Sequence, residues 1–160
     1  MNPIVYGAAV AYTPEFVSFD NVAAIHRADG VEALVRCVKE GSRTQKEHAA
    51  SALSNLATTS DQRSDIARAG AIQPLLTLVS ASGPGQAIAS RHAVMALGSL
   101  AFNHPVNQAA IRSLGGEKVL MQLARGEEAP EALRKAAEYA VRNLSSVSQA
   151  QAAAAAAGPT

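Results

Sequence analysis

A chain of 160 residues has room for one domain with a single continuous core. Hydrophobic residues make up 48% of it and charged residues 17%, which excludes a disordered chain, while aromatic residues are only 4% and Trp is absent, so the core must be aliphatic. The formal net charge of +1 is too small for general attraction to nucleic acid or an anionic membrane, both of which need a concentrated basic field.

The first segment, residues 1–20, is predicted to be an apolar leader that packs on the next segment of the chain or on a partner. Its apolar stretch from Pro3 to Tyr12 lacks the charged start and the cleavage site of a secretory signal, and it is too short to span a bilayer. Cys37 is the only cysteine, so an intrachain disulfide is impossible. We therefore expect a chain without a membrane span in a reducing intracellular compartment, either cytoplasm or nucleus, with an organelle left open.

Internal repetition organises the chain after the leader. At an offset of 41 residues the stretch 21–38 matches 62–79, and a further offset of 45 gives a third copy that begins at Asn107. A second set of small and apolar positions recurs at an offset of 44. Each copy of that set occupies positions i, i+3, i+4 and i+7, the apolar face of one helix. The three copies are Ala49, Ala52, Leu53, Leu56; Ala93, Ala96, Leu97, Leu100; and Ala137, Ala140, Val141, Leu144.

Each unit is predicted to contain a short first helix, a tight turn, a second helix and a longer third helix. In unit two the first helix is predicted over 61–69, and Gly70 stands where a left-handed closing residue is needed. Pro74 follows near the start of the second helix, and the loop Ser82-Gly-Pro-Gly85 separates it from the third.

The other two units vary at the same corners. Unit three has Gly115-Gly116 at the turn and Pro130 near the start of its third helix. Unit one has Asp29-Gly30, which places its glycine one residue out of step and leaves the turn geometry open.

These boundaries divide the chain into five segments. They are a leader (1–20), repeat 1 (21–60), repeat 2 (61–106), repeat 3 (107–147) and an Ala-rich tail (148–160). The run from Ala152 to Ala157 favours helix but has no amphipathic face, so the tail either extends the last helix or is a flexible end. Neither end has a strongly polar outer face, which suggests a chain completed by a partner subunit or by further repeats.

The repeated residues resemble the armadillo family. The resemblance is carried by Asn21-Val-Ala-Ala-Ile25, by Ala52-Leu-Ser-Asn-Leu56 and by Ala140-Val-Arg-Asn-Leu144, and it extends over about 21–146. It implies an all-α fold, a right-handed α-solenoid of three three-helix repeats. It also implies that the third helices line a concave groove.

In peptide-binding members of that family, the Asn of the third helix bonds the backbone of an extended partner. Asn55, Ser99 and Asn143 stand at that position here, and an amide can donate and accept at once. The alternative for an Asn at this position is that it satisfies the end of a neighbouring helix. Members that read basic import signals carry a Trp four residues earlier, where this chain has Ser51, Met95 and Tyr139. The import function is therefore not carried over.

The predicted partner-binding stripe adds one histidine in each of the first two units to these positions. It comprises Asn55, Ser99, Asn143, Ser51, Met95, Tyr139, His48 and His92. Two equivalent histidines lack a third ligand at matching reach, so we predict no metal site. A neighbouring ridge has a slight basic excess and favours either a solvated face or an acidic partner segment. The ridge comprises Glu47, Arg91 and Lys135, with Lys46, Arg134 and Arg142 nearby.

We therefore predict a non-catalytic protein-interaction module that binds an extended or helical segment in its groove, with no cofactor. The alternative is an architectural subunit of a large assembly, held through its ends and convex face. An enzyme is not expected, because Ser82-Gly-Pro-Gly85 and Leu114-Gly-Gly-Glu-Lys118 lack the context and spacing of a phosphate loop.

Overall fold

The computed structural model describes residues 29–81 and 86–156, and within these ranges every regular element is an α-helix. The helices in chain order are α1 (Gly30–Glu40), α2 (Arg43–Leu56), α3 (Ser60–Arg68), α4 (Ile72–Ser80), α5 (Ala87–Ala101), α6 (Pro105–Ser113), α7 (Gly116–Arg125) and α8 (Glu131–Ala156). None of these helices is both long and apolar enough to cross a membrane. The predicted leader, the first helix of unit one and the loop 82–85 lie outside the described residues.

Two helices begin with a reciprocal cap that the sequence encodes. At the start of α2, Ser42 Oγ accepts from the amide of Gln45, and the Gln45 side chain accepts from the amide of Ser42 at 2.8 Å. Thr59 and Gln62 form the same capping box at the start of α3. Each cap uses amides that have no partner within the helix, so the helix boundaries are fixed locally.

The turn between the first and second helices has a left-handed residue in every unit. Gly70 has φ +81° and Gly115 has φ +75°, as the glycine positions predict. In unit one the left-handed residue is Asp29, with φ +53°, and Gly30 is the first residue of α1. Asp29 therefore keeps the register of the other units, because a short polar side chain tolerates this conformation better than most.

The core is a continuous layer beneath the third helices α2, α5 and α8. Leu53, Leu97 and Leu144 are fully buried in it, and alanines between them let neighbouring helices approach closely. Contacts between successive third helices are much more extensive than those between successive second helices. The third helices therefore form the most extensively packed layer of the array.

Prolines mark two of the helix starts. Pro74 lies in the first turn of α4, where its missing amide removes no helical hydrogen bond, and Pro130 immediately precedes α8. The backbone of α8 continues to Ala156, so the last helix extends into the predicted Ala-rich tail. Cys37 is half-buried and packs against the core.

Candidate partner-binding face

We call the side of α2, α5 and α8 that faces away from the core the third-helix face. The eight predicted site residues lie on these three helices. The eight residues differ in how far they are buried. Asn55 and Ser99 are half-buried, while Asn143 and Ser51 are buried. Met95, Tyr139 and His48 are exposed, and His92 is half-buried. Contact with a partner at these positions remains a prediction.

Hydrogen bonds between neighbouring third helices involve two of the predicted positions, Ser99 and Asn143. Asn143 Nδ2 on α8 donates to the carbonyl of Gly98 on α5 at 2.9 Å. One unit earlier, the hydroxyls of Ser54 on α2 and Ser99 on α5 lie 3.3 Å apart. These bonds tie α2 to α5 and α5 to α8. The Asn143 amide therefore has a structural role, which is the alternative to partner binding that the sequence left open for this position.

Tyr139 on α8 packs against Gly98 on α5. A Cβ atom added to Gly98 would stand 2.8 Å from two ring carbons of Tyr139 and 3.2 Å from Cα of Ala140. Only a residue without a side chain leaves room for this ring. One face of the tyrosine thus rests on the α5 backbone, while 40% of the residue remains accessible.

Two exposed apolar residues extend the predicted stripe along α5. Ile88 lies seven residues before Met95 on α5, so helical periodicity places the two on one side of the helix. Phe102 lies seven residues after Met95 and directly follows the last residue of α5. With Tyr139 they form the apolar stripe, whose four members are between 38% and 52% exposed. The heptad spacing was visible in the sequence, but aligning equivalent positions between units did not reveal it.

Phe102 is also fixed in place by a cation. The guanidinium of Arg63, on α3, lies 5.3 Å from the centre of the Phe102 ring, within the range of a cation–π contact. Arg63 Nη2 also donates to the carbonyl of Thr58 at 2.9 Å. The end of the apolar stripe is therefore positioned by the first helix of the same unit.

His92 lies between α5 and α2. Its Nε2 accepts from the guanidinium of Arg91 at 3.1 Å. Burial and then the positive charge of Arg91 lower the pKa of His92 below its ordinary value, and the carboxylate of Glu47 acts weakly in the opposite direction. The unprotonated ring is therefore the form that fits this packing. Among the described residues, no three His, Cys, Asp or Glu side chains cluster closely enough to hold a metal ion.

The residues of the predicted basic ridge differ in their contacts. Lys135 pairs with Glu131 on its own helix at 2.6 Å, and both side chains are largely exposed. Arg91 contacts His92, and Arg142 is exposed beside the buried Asn143. Exposed ion pairs along a helix contribute little stability. The charges of this ridge therefore affect the encounter with a charged partner more than they affect folding.

A serine and a histidine lie together away from this face, and their hydrogen bonds oppose catalysis by the pair. His104 is buried at the start of α6, where its Nδ1 accepts from the amide of Asn107. In the neutral ring Nε2 then carries the proton and donates to Ser64 Oγ, 2.9 Å away. A general base must accept the proton of the nucleophile, and this nitrogen has no lone pair to do so. His104 instead caps the start of α6, and Ser64 accepts its remaining proton.

Two buried amides on α6 connect three helices. Asn107 Nδ2 donates to the carbonyls of Leu100 on α5 and Arg63 on α3, at 3.0 and 3.1 Å. Gln108 Nε2 donates to the carbonyls of Ala101 and Asn143 at 2.8 and 2.9 Å. They supply donors to the carbonyls of Leu100 and Ala101 in the last turn of α5, where carbonyls lack partners within the helix. The match of Asn107 to Asn21 and Gln62 was visible in the sequence, but its capping role required the fold.

Comparison with known proteins agrees with this architecture. Residues 18–58 match the family described as Armadillo/beta-catenin-like repeat. Comparison with curated protein sequences finds no match.

Solved structures resemble most of the chain. An engineered protein has a TM-score of 0.72 at 27% identity, over 79% of this chain and 50% of that one. A designed armadillo repeat protein has a TM-score of 0.69 at 22% identity, over 78% of this chain and 51% of that one. Another designed armadillo repeat protein, solved in complex with the peptide (KR)4, has a TM-score of 0.70 at 22% identity, over 79% of this chain and 52% of that one. This chain thus spans about half the length of each of them.

The helical layers and these likenesses define an α-solenoid of the armadillo type, a protein-binding fold that is typically not enzymatic. The chain has the fold of the armadillo repeat proteins, and residues 18–58 carry the sequence pattern of the repeat. The comparisons do not single out an individual member of the family.

Proposed function

We propose that the chain is a non-catalytic interaction module that binds a partner polypeptide on its third-helix face, without a cofactor, in a reducing intracellular compartment. The observation that carries the proposal is the exposure of the apolar stripe of Ile88, Met95, Phe102 and Tyr139. Exposed large apolar side chains grouped on one face are typical of a surface that a partner covers.

The stripe defines the chemistry of the partner. Ile88 and Phe102 are fourteen residues apart, so the stripe is about 21 Å long, enough to contact about four turns of a helix or six extended residues. Apolar side chains of the partner bury the stripe. Arg91 and Arg142 flank it, so acidic residues next to the apolar ones strengthen binding and speed encounter.

A peptide selection with matched variants tests the proposal. A displayed library of random peptides is selected on the wild-type chain, and the affinity of the selected peptides is measured by fluorescence anisotropy. The double variant Met95→Ser, Tyr139→Ser should weaken binding by at least about tenfold, because it removes two exposed apolar contacts and leaves the helix-to-helix bonds in place.

The control removes exposed apolar area elsewhere. Val106→Ser, Leu114→Ser changes two exposed residues at the two ends of α6, away from the third-helix face. We expect this variant to bind within about twofold of wild type, a change of under 1 kcal/mol. Equal loss in both variants, or loss only in the control, would contradict groove binding.

The alternative is an architectural subunit, and one observation favours it. Val106 is 73% exposed and Leu114 is also exposed on the first helix of unit three, so apolar area exists outside the third-helix face as well. In that case the isolated chain should associate as its concentration rises, and Val106→Ser, Leu114→Ser should abolish the association. Sedimentation velocity over a hundredfold concentration range distinguishes the two functions.

A further inference from the structure

A second surface lies where units one and two meet, at the N-terminal ends of α2 and α5. A cleft of about 510 Å³ opens between the end of α1, the start of α2, helix α4 and the start of α5. Its floor contains the buried side chains of Val38, Pro74, Leu78 and Ala89. The volume lies in the range of sites that hold small organic groups.

The charged side chains that line the cleft in the described part of the chain are all cations. Lys39, Arg43 and Lys46 line it, and no carboxylate does so in the described part of the chain. None of the three forms an ion pair within the described ranges. Neutral polar groups of Gln73, Thr77 and Gln86 complete the lining. Unpaired cations converging on a cavity give it a positive potential that attracts anions.

The position of two of these cations is unfavourable for the helix that carries them. Arg43 is the first residue of α2 and Lys46 lies at the end of its first turn, where no acidic residue is present. The positive end of a helix dipole favours anions there, so each cation in this turn is unfavourable. Natural proteins depart from local stability rules mainly at functional or strained sites. An anionic ligand in the cleft supplies the missing compensation.

We propose that this cleft binds a phosphorylated side chain of a partner polypeptide. A phosphoryl group carries about −1.5 to −2 charges at neutral pH, which matches three converging cations better than a single carboxylate does. The cleft is larger than one oxyanion, and its apolar floor takes the aliphatic atoms next to the phosphate. The site is independent of the third-helix face, so it stands whether or not the function proposed above is correct.

Degenerate peptide pools test the proposal. Fluorescent heptapeptide pools with a central phosphoserine, serine or glutamate are titrated against the full chain, with inorganic phosphate as competitor. The phosphoserine pool should bind at least about tenfold more tightly than the serine pool, with the glutamate pool between them. Equal affinity for the phosphoserine and serine pools would overturn the proposal. Competition by inorganic phosphate at the same affinity as the peptide would do so too, because the ligand would then be the free ion.

Matched variants locate the binding. Lys39→Gln, Arg43→Gln, Lys46→Gln should lower the affinity for the phosphoserine pool by at least about tenfold. The control Arg36→Gln, Lys118→Gln, Arg125→Gln removes three exposed cations outside the cleft and makes the same change in net charge. Equal loss in both triple variants would mean general electrostatic attraction and would overturn the site.

Two further variants keep the result interpretable. Arg43→Gln alone changes one exposed residue and should weaken binding by about threefold without altering the helical circular dichroism. The third-helix variant Met95→Ser, Tyr139→Ser should leave binding of the phosphoserine pool unchanged. If it weakened that binding as much as the cleft variant does, the phosphate site would be assigned to the wrong surface.

Discussion

At the scale of single residues, His92 connects the packing of two units to pH. Burial and Arg91 lower its pKa below the ordinary value of 6.5. The unfolded chain therefore binds a proton at a higher pH than the folded chain does. The stability that this histidine contributes is present above the unfolded pKa and is lost as the pH falls below it toward the lower folded value.

The urea midpoint should therefore fall between about pH 7.5 and pH 5.5, a window in which an ordinary imidazole titrates while most carboxylates remain ionised. His92→Gln should reduce that fall. His48→Gln removes a smaller cause of the lowered His92 pKa, so it should reduce the fall less than His92→Gln does. An unchanged pH dependence in His92→Gln would contradict the assignment.

Gly98 is the second residue whose role follows from its surroundings. In most helices Gly→Ala adds up to about 1 kcal/mol of stability. Here the added methyl group meets the ring of Tyr139 at 2.8 Å, so we expect Gly98→Ala to destabilise the fold or displace the ring. A double-mutant cycle with Tyr139→Ser, followed by urea unfolding, measures the coupling. Additive effects would show that the ring does not rest on this glycine.

At the scale of elements, the α6 amides hold the ends of neighbouring helices together. Asn107→Ala leaves the carbonyls of Leu100 and Arg63 without this donor, and it should lower the free energy of unfolding by about 1–3 kcal/mol. Gln122→Ala, at an exposed amide in α7, is the matched control and should change stability by less than about 0.5 kcal/mol. Equal effects of the two substitutions on the urea midpoint would contradict a connecting role for Asn107.

Much of the element order could be predicted from the sequence because it depends on local chemistry. The 3.6-residue apolar period indicates the third helices, and Gly70 and Gly115 indicate two corners. Asp29 was harder: the offset of 41 aligns it with Gly70, but the adjacent Gly30 left it open which of the two residues is left-handed. The bond from Asn143 to Gly98, the exposure of Ile88 and Phe102 and the basic cleft each require helices far apart in sequence.

At the scale of the whole molecule, stability depends on one continuous core that passes through all three third helices. Leu97 is fully buried in the middle of it. Leu97→Ala should lower the free energy of unfolding by about 2–5 kcal/mol, because a cavity at the centre is enclosed on both sides. Since whole domains are stable by only about 5–15 kcal/mol, urea unfolding should register a large shift.

The control for this prediction lies two residues away on the same helix. Met95→Ala removes an exposed side chain from α5 and should change stability by less than about 1 kcal/mol. Similar losses for the two variants would mean that the core does not pass beneath α5.

The central claim is that a partner polypeptide occupies the third-helix face, and photo-crosslinking tests it most directly. A photoreactive amino acid is placed at Met95 or Tyr139 on that face, or at Arg36 or Lys118 on the exposed side of second helices α1 and α7. Each protein is then irradiated with the peptide selected on the wild-type chain, at a concentration near its Kd. We expect adducts from positions 95 and 139 and none from 36 and 118; adducts confined to 36 and 118 would contradict the claim.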